Sequence, residues 1–146
     1  MVIPRSRLTL VYGAIALIAL LATWNQNLQF VGGDADPGGV FAAFWAATFA
    51  NPAAASITLD LLLLVVAVTI WMVLEARRLR IPFVWLYVVG GMLIAISVTF
   101  PLFMMARERR LAALGQVQPA VSGGDAVGLL LVGVPVVVLS VWSLFA

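Results

Sequence analysis

The sequence predicts an all-α protein, a polytopic transmembrane helix bundle of four spans with a short outer interfacial helix. Three observations predict it. Of 146 residues, 64% are apolar and only 10% charged, against roughly 45–50% and 25% in an ordinary soluble domain. Four apolar runs are long enough to cross or nearly cross the ~30 Å hydrocarbon core. The eight basic residues, all arginine, cluster at the ends of these runs, which is no nucleic-acid footprint. Because Cys and His are absent, the chain offers no disulfide framework, thiolate or imidazole metal site, axial His for haem, or Ser-His or Cys-His nucleophile pair. No metal or cofactor is expected. The expected partners are the lipid bilayer and a membrane protein or second copy of the chain, with no nucleic acid.

The first span is expected at residues 8–24, a charge-free run of about 25 Å. Arg5 and Arg7 before it also fit a signal peptide, but no A-x-A cleavage pattern follows, so it is read as a retained anchor. The next segment opens polar, turns through a Gly-rich stretch holding Asp34 and Asp36, and becomes aromatic. Phe41, Phe44, Trp45 and Phe49 fall within an arc of about 140° on a helix, predicting the interfacial helix at about 39–50. Asn51 and Pro52 read as N-cap and first helical residue of a helix carrying the second span, 57–74. The third span, 83–105, is long enough to cross with some tilt. The fourth, 127–145, contains Pro135, which neighbouring helices can accommodate. All of it is read as one membrane domain, 1–146. Helix contacts are expected through small side chains at Gly13, Ala16, Ala19 and Ala22, at Gly90 and Gly91, and at Gly124 and Gly128.

Four straight spans with the N-terminus in the cytoplasm put Arg5, Arg7, Arg77, Arg78 and Arg80 inside and Arg107, Arg109 and Arg110 outside. The majority favours N-in and C-in, in the inner (cytoplasmic) membrane of a bacterium, with Trp142 near the inner face. The three outer arginines conflict with this. A third run that re-enters around Gly90, Gly91 and Pro101 would ease the conflict, provided protein or water surrounds the turn.

Asp60 is the ionisable residue that stands out, about two turns into its helix and near the outer edge of the hydrocarbon. Its bland reading is an interfacial carboxylate held by water or hydrogen bonds. Its sharper reading is an acid or ligand-orienting group in a pocket with Phe41, Phe44, Trp45, Ser97 and Thr99. Glu75 lies about 22 Å farther along the same helix, so the two carboxylates cannot form one dyad. With Arg78 at i+3 and Arg77 and Arg80 beside it, Glu75 reads as a structural ion pair or as part of an anion or lipid-headgroup site. Asp34 and Asp36 open a calcium-loop pattern whose later carboxylate is missing. Ser97 and Thr99 before Pro101 read as hydroxyls back-bonding to carbonyls at a kink.

The ordered set Asn51-Pro52, Asp60, Glu75-x-Arg77-Arg78, and Ser97 through Pro101-Leu102-Phe103 to Arg107-Glu108-Arg109 resembles a bacterial family of small integral membrane proteins known only as a domain of unknown function. With the preceding span, the likeness covers roughly three-quarters of the chain. The resemblance implies a three-span unit and assigns no activity, ligand or catalytic residue. Residues 115–146 add a linker and a fourth span to it.

Few buried polar groups and many small-residue faces favour a non-catalytic membrane protein, either an accessory subunit of a larger complex or a binder of a lipid-like molecule. A second reading is an intramembrane acid-base enzyme acting on an isoprenoid or other lipid, with Asp60 as acid. A third is a small proton-coupled transporter, which needs Asp60 on a water-filled path.

Overall fold

A computed structural model describes residues 5–31, 37–116 and 121–145. Among them the elements are all helical: α1 (Arg5–Val31), α2 (Pro37–Thr48), α3 (Pro52–Leu79), α4 (Val84–Gly90), a π-helical turn (Gly91–Ala95), α5 (Ile96–Ala113) and α6 (Gly123–Trp142). Four segments are long and apolar enough to cross a membrane, Ser6–Val31, Pro52–Leu79, Val84–Ala113 and Gly123–Trp142, and a shorter apolar helix covers Gly39–Thr48. The chain is a multi-pass, all-α membrane protein. Asp34 and Asp36 lie outside the described residues.

Local chemistry explains the helix ends. The Asn51 side chain accepts from the Ala54 amide at 2.9 Å, and Pro52 occupies the first helical position of α3. At its other end Arg80 takes a left-handed conformation (φ 55°), and the Ile81 amide closes on the Ala76 carbonyl at 2.9 Å. Helix α6 starts four residues before the expected apolar boundary. Ser122 and Asp125 form a reciprocal capping box there, each side chain accepting from the other's amide, at 3.1 and 2.9 Å. Helix α1 runs past the apolar stretch through Asn25, Gln26 and Asn27, and Gln26 Nε2 donates to the Ser143 carbonyl at 2.8 Å.

The third apolar segment does not follow a straight path. At Ala95 the backbone is extended (φ 179°, ψ 139°), and α5 returns alongside α4. Tyr87 and Phe103 meet edge to face with centroids 5.7 Å apart, where an unbroken helix would hold them about 24 Å apart. A Cβ on Gly91 would lie 2.8 Å from Thr99 Oγ1, and one on Gly90 would lie 3.3 Å from Thr99 Cγ2. Both glycines therefore permit a close crossing that a larger residue would obstruct. The expectation of enough apolar length at 83–105 holds, but the segment is a helical hairpin. Its reversal lies at 91–95, whereas Pro101 sits inside α5.

Helix α1 packs along α5 in the opposite direction, with Gly13 beside Met105 and Ala19 and Ala22 near Ser97. The small-residue strip of α1 is used as expected, and Ala16 is buried. The Gln26–Ser143 bond makes α6 run roughly parallel to α1. A Cβ on Gly128 would meet nothing within 4 Å among the described residues, and one on Gly124 only the Ser122 hydroxyl of its own cap. The hydrophobic core gathers Met72, Ala76 and Leu79 of α3, Ile81 of the connection, Val84 and Val88 of α4, and Phe103 and Leu111 of α5.

One consequence of the hairpin is that the ends of α3 and α5 lie together, beside the start of α1. The described arginine side chains, Arg7, Arg77, Arg78, Arg80, Arg107, Arg109 and Arg110, thus share one end of the bundle, here the arginine end. The expectation that the last three lie across the membrane from the others is corrected, because the chain reverses before reaching the opposite end. Trp142 and the end of α6 lie at the other end, beside the end of α1, and not on the arginine side.

Candidate functional site

At the arginine end, the last turns of α3 and α5 bring four charged side chains into one network. Arg78 grips Glu75 with two donors, Nε to Oε2 at 2.6 Å and Nη2 to Oε1 at 2.7 Å. Arg107 Nε donates to Glu75 Oε1 at 2.7 Å, and its Nη1 donates to Glu108 Oε1 at 2.9 Å. The Glu75 side chain is 10% exposed and that of Glu108 only 2%. Burial on this scale removes water from the carboxylates, so the guanidinium partners must compensate for it. The Arg107 guanidinium also stands 5.8 Å from the centroid of the Trp71 ring, within cation–π range. Trp71 in turn packs edge to face on Phe100 and Phe103. Tyr12 of α1 lies within electrostatic reach of Glu108 and Arg107. The network thus ties α3 to α5 next to α1.

Beside the network lies a groove of about 390 Å³ lined by Ile81, Pro82, Phe83, Leu86, Tyr87, Ala106, Arg109, Arg110 and Ala113. Its floor and one wall are apolar. Two guanidiniums stand at its rim. Arg110 Nε is bonded to the Leu79 carbonyl at 2.8 Å, which anchors that side chain across the α3–α5 junction. Among the described residues, no carboxylate lies within ion-pair distance of Arg109 or Arg110. Phe83 forms part of the wall with φ 57°, a conformation uncommon for a bulky residue and costing about 1–3 kcal/mol. This is an amphiphilic site, with cationic donors above and hydrocarbon below.

The structure places the sequence candidates as follows. Glu75 and Arg78 pair as expected, while Arg77 and Arg80 are exposed at the same end without a carboxylate partner among the described residues. Asp60 is exposed on α3 toward the opposite end. Phe44 meets Phe30 of α1 at 5.7 Å, and Phe41, 68% exposed, meets Trp45 at 6.3 Å. Ser97 lines an apolar cavity of about 360 Å³ between α1, α6 and α5. Thr99 is buried in the hairpin against Gly90 and Gly91, and its hydroxyl has no hydrogen-bond partner, so the expected back-bonding is not made there. Ser97 and Thr99 therefore occupy separate places, and α2 meets α3 through Thr48 and Thr58.

Arg107, Arg109 and Arg110 complete the site that sequence reasoning began with Glu75. The repeated acid–arginine pattern after Phe103 was a signal for them, but only the chain reversal places it beside α3. Residues 11–109 match the family described as protein of unknown function DUF2834. The match spans the end-to-end course of α3, the hairpin and the ion-pair network, and stops before α6. No curated protein and no solved structure matches the chain.

Proposed function

The chain belongs to the DUF2834 family, and we propose that it is a non-catalytic membrane protein that binds a lipid-like molecule at the groove of its arginine end. The observation that carries this reading is the pairing, in one groove, of Arg109 and Arg110 with an apolar surface from Ile81, Phe83, Leu86 and Tyr87. Two further features support it. Glu75 and Glu108 are engaged by arginines, so the carboxylates nearest the groove serve to hold Arg78 and Arg107. Asp60, the acid required by the enzyme and transporter readings, lies on the far part of α3, about 22 Å along the axis from Glu75.

The arginine end faces the cytoplasm in this reading, because basic residues concentrate on that side of short loops. The N-terminus is then cytoplasmic. α1, α3 and α6 cross the membrane, the α4–α5 hairpin enters and leaves from the cytoplasmic side, and the end of α6 is outside. At the reversal Gly90 and Gly91 pack against Thr99, while Met92 and Leu93 are exposed apolar side chains.

Native mass spectrometry of protein released from native-lipid nanodiscs tests the binding reading. The expected result is a retained lipid in the wild type and in Asp60→Asn, and its loss in Ala113→Trp, which fills the groove. A bare wild-type protein, or one carrying another polypeptide in place of a lipid, would contradict it.

A further inference from the structure

Resting on the binding reading above, we infer that the ligand of the groove is an anionic phospholipid, one whose phosphate is not neutralised by a cationic headgroup, held by that phosphate on Arg109 and Arg110 and by one chain on Phe83 and Leu86. Three observations define that chemistry. First, the arginine end carries a positive surplus: Glu75 and Glu108 engage Arg78 and Arg107, whereas Arg109 and Arg110 have no carboxylate within ion-pair distance among the described residues. Arg110 is half-buried against the apolar groove and Arg109 is exposed at its rim; a partly desolvated guanidinium calls for an anion, and its exposed neighbour leaves the approach open. Second, the donors are guanidiniums from consecutive residues at one rim, and Arg110 is anchored through Nε to the Leu79 carbonyl. Planar forks of this kind match phosphate oxygens, which can receive donors from two directions at once.

Third, the apolar wall opens sideways. Phe83 is 78% and Leu86 73% exposed, and both lie on the outer surface of a hairpin that sits in the membrane. A lipid in the adjacent leaflet can therefore lay a chain against them while its headgroup stays at the level of the arginines, with no need to leave the bilayer. The left-handed backbone of Phe83 (φ 57°) holds its ring in this wall. A free phosphate would use the rim alone and leave the wall unoccupied.

The test is native mass spectrometry of the full chain, delipidated in detergent and then offered dioleoyl phosphatidic acid, dioleoyl phosphatidylglycerol, dioleoyl phosphatidylcholine or oleate, with inorganic phosphate as competitor. The two anionic phospholipids are expected to be retained about tenfold more than phosphatidylcholine or oleate, and Arg109→Gln with Arg110→Gln should remove that preference. Arg109→Gln alone should lower it severalfold, and this variant leaves the Arg110–Leu79 bond in place. Arg77→Gln with Arg80→Gln, outside the groove, should leave retention unchanged. Equal retention of all lipids, insensitive to the arginine variants, would overturn the phosphate assignment while leaving lipid binding standing. Oleate held as well as phosphatidic acid would overturn it in favour of a general anionic amphiphile. Displacement of the lipid by equimolar inorganic phosphate would overturn the contribution of the chain. Retention of no lipid at all would overturn both this assignment and the binding reading.

Discussion

At the arginine end, α3, α4 and α5 meet through a buried core centred on Phe103, a ring of edge-to-face aromatics, and ion pairs that cross from helix to helix. At the opposite end, α1, α2, α3 and α6 are joined by isolated contacts: Phe30 on Phe44, Thr58 Oγ1 to the Thr48 carbonyl at 3.0 Å, and Gln26 to Ser143. Both ends are rich in apolar side chains, yet only one is tightly organised. In a bilayer, apolar surface alone does not distinguish a neighbouring helix from lipid. Close packing and polar pairing must do so; the charged pairs and the main buried cluster lie at the arginine end, while close packing continues from there along α1 and α5. The α2 end is left with large apolar faces for lipid chains.

The largest test of that contrast is removal of the carboxylate at the centre of the network. Glu75→Gln removes the charge that joins Arg107 to α3, leaving Arg107 paired with Glu108 on its own helix, and should destabilise the protein by about 3 kcal/mol. Gln26→Ala at the other end should cost about 0.6 kcal/mol. Thermal unfolding of both variants in the same detergent checks the ratio, and similar losses would erase the distinction between the two ends.

Next in size is the hairpin crossing. Gly91→Ala inserts a Cβ against the Thr99 hydroxyl and Ile96, at 2.8 and 2.9 Å, and should cost about 1–3 kcal/mol. Thr99→Val, in contrast, removes a buried hydroxyl that has no partner and should be neutral or stabilising. A Thr99→Val variant losing as much stability as Gly91→Ala would show that the hydroxyl has a partner after all.

Phe83→Gly sharpens the comparison in another way. It relieves a left-handed phenylalanine and should raise stability by up to about 1 kcal/mol, while weakening lipid retention at the groove. A parallel fall in stability and retention would mean that the Phe83 ring supports the fold and not the site. The most local effect should come from Ser122→Ala, which breaks the capping box of a helix that makes few contacts and should cost about 1 kcal/mol or less. Hydrogen exchange at the start of α6 would register that loss locally, with the arginine end unchanged.

Much of this architecture was legible from composition and run length. Long apolar stretches announced α1, α3 and α6, the second of them despite Asp60, and Asn51-Pro52 announced the start of α3. The Glu75–Arg78 pair followed from i,i+3 spacing. The reversal at Ala95 did not, because an apolar helical run reads alike whether it continues or turns back, and the decision rests on Gly90 and Gly91 meeting Thr99 in three dimensions. Every feature that depends on that turn was hidden with it: the Arg107–Glu75 bridge, the anchoring of Arg110 on Leu79, and the gathering of the arginines at one end. Asp60 attracted notice because an ionisable group within an apolar run is expensive when buried, but its side chain is exposed. Ser122 and Asp125 lie just outside the apolar run that marked α6, so their capping box and the true start of that helix were missed.

Topology is the most direct test of the account. The chain contains no cysteine, so single cysteines at Ser6, Gln116 and Leu144 can be labelled in sealed membrane vesicles by an impermeant maleimide. The hairpin predicts that Ser6→Cys and Gln116→Cys react from the same side and Leu144→Cys from the other. Four straight crossings would place Gln116→Cys opposite Ser6→Cys and return Leu144→Cys to the side of Ser6, and that pattern would contradict the hairpin and the single arginine end built on it.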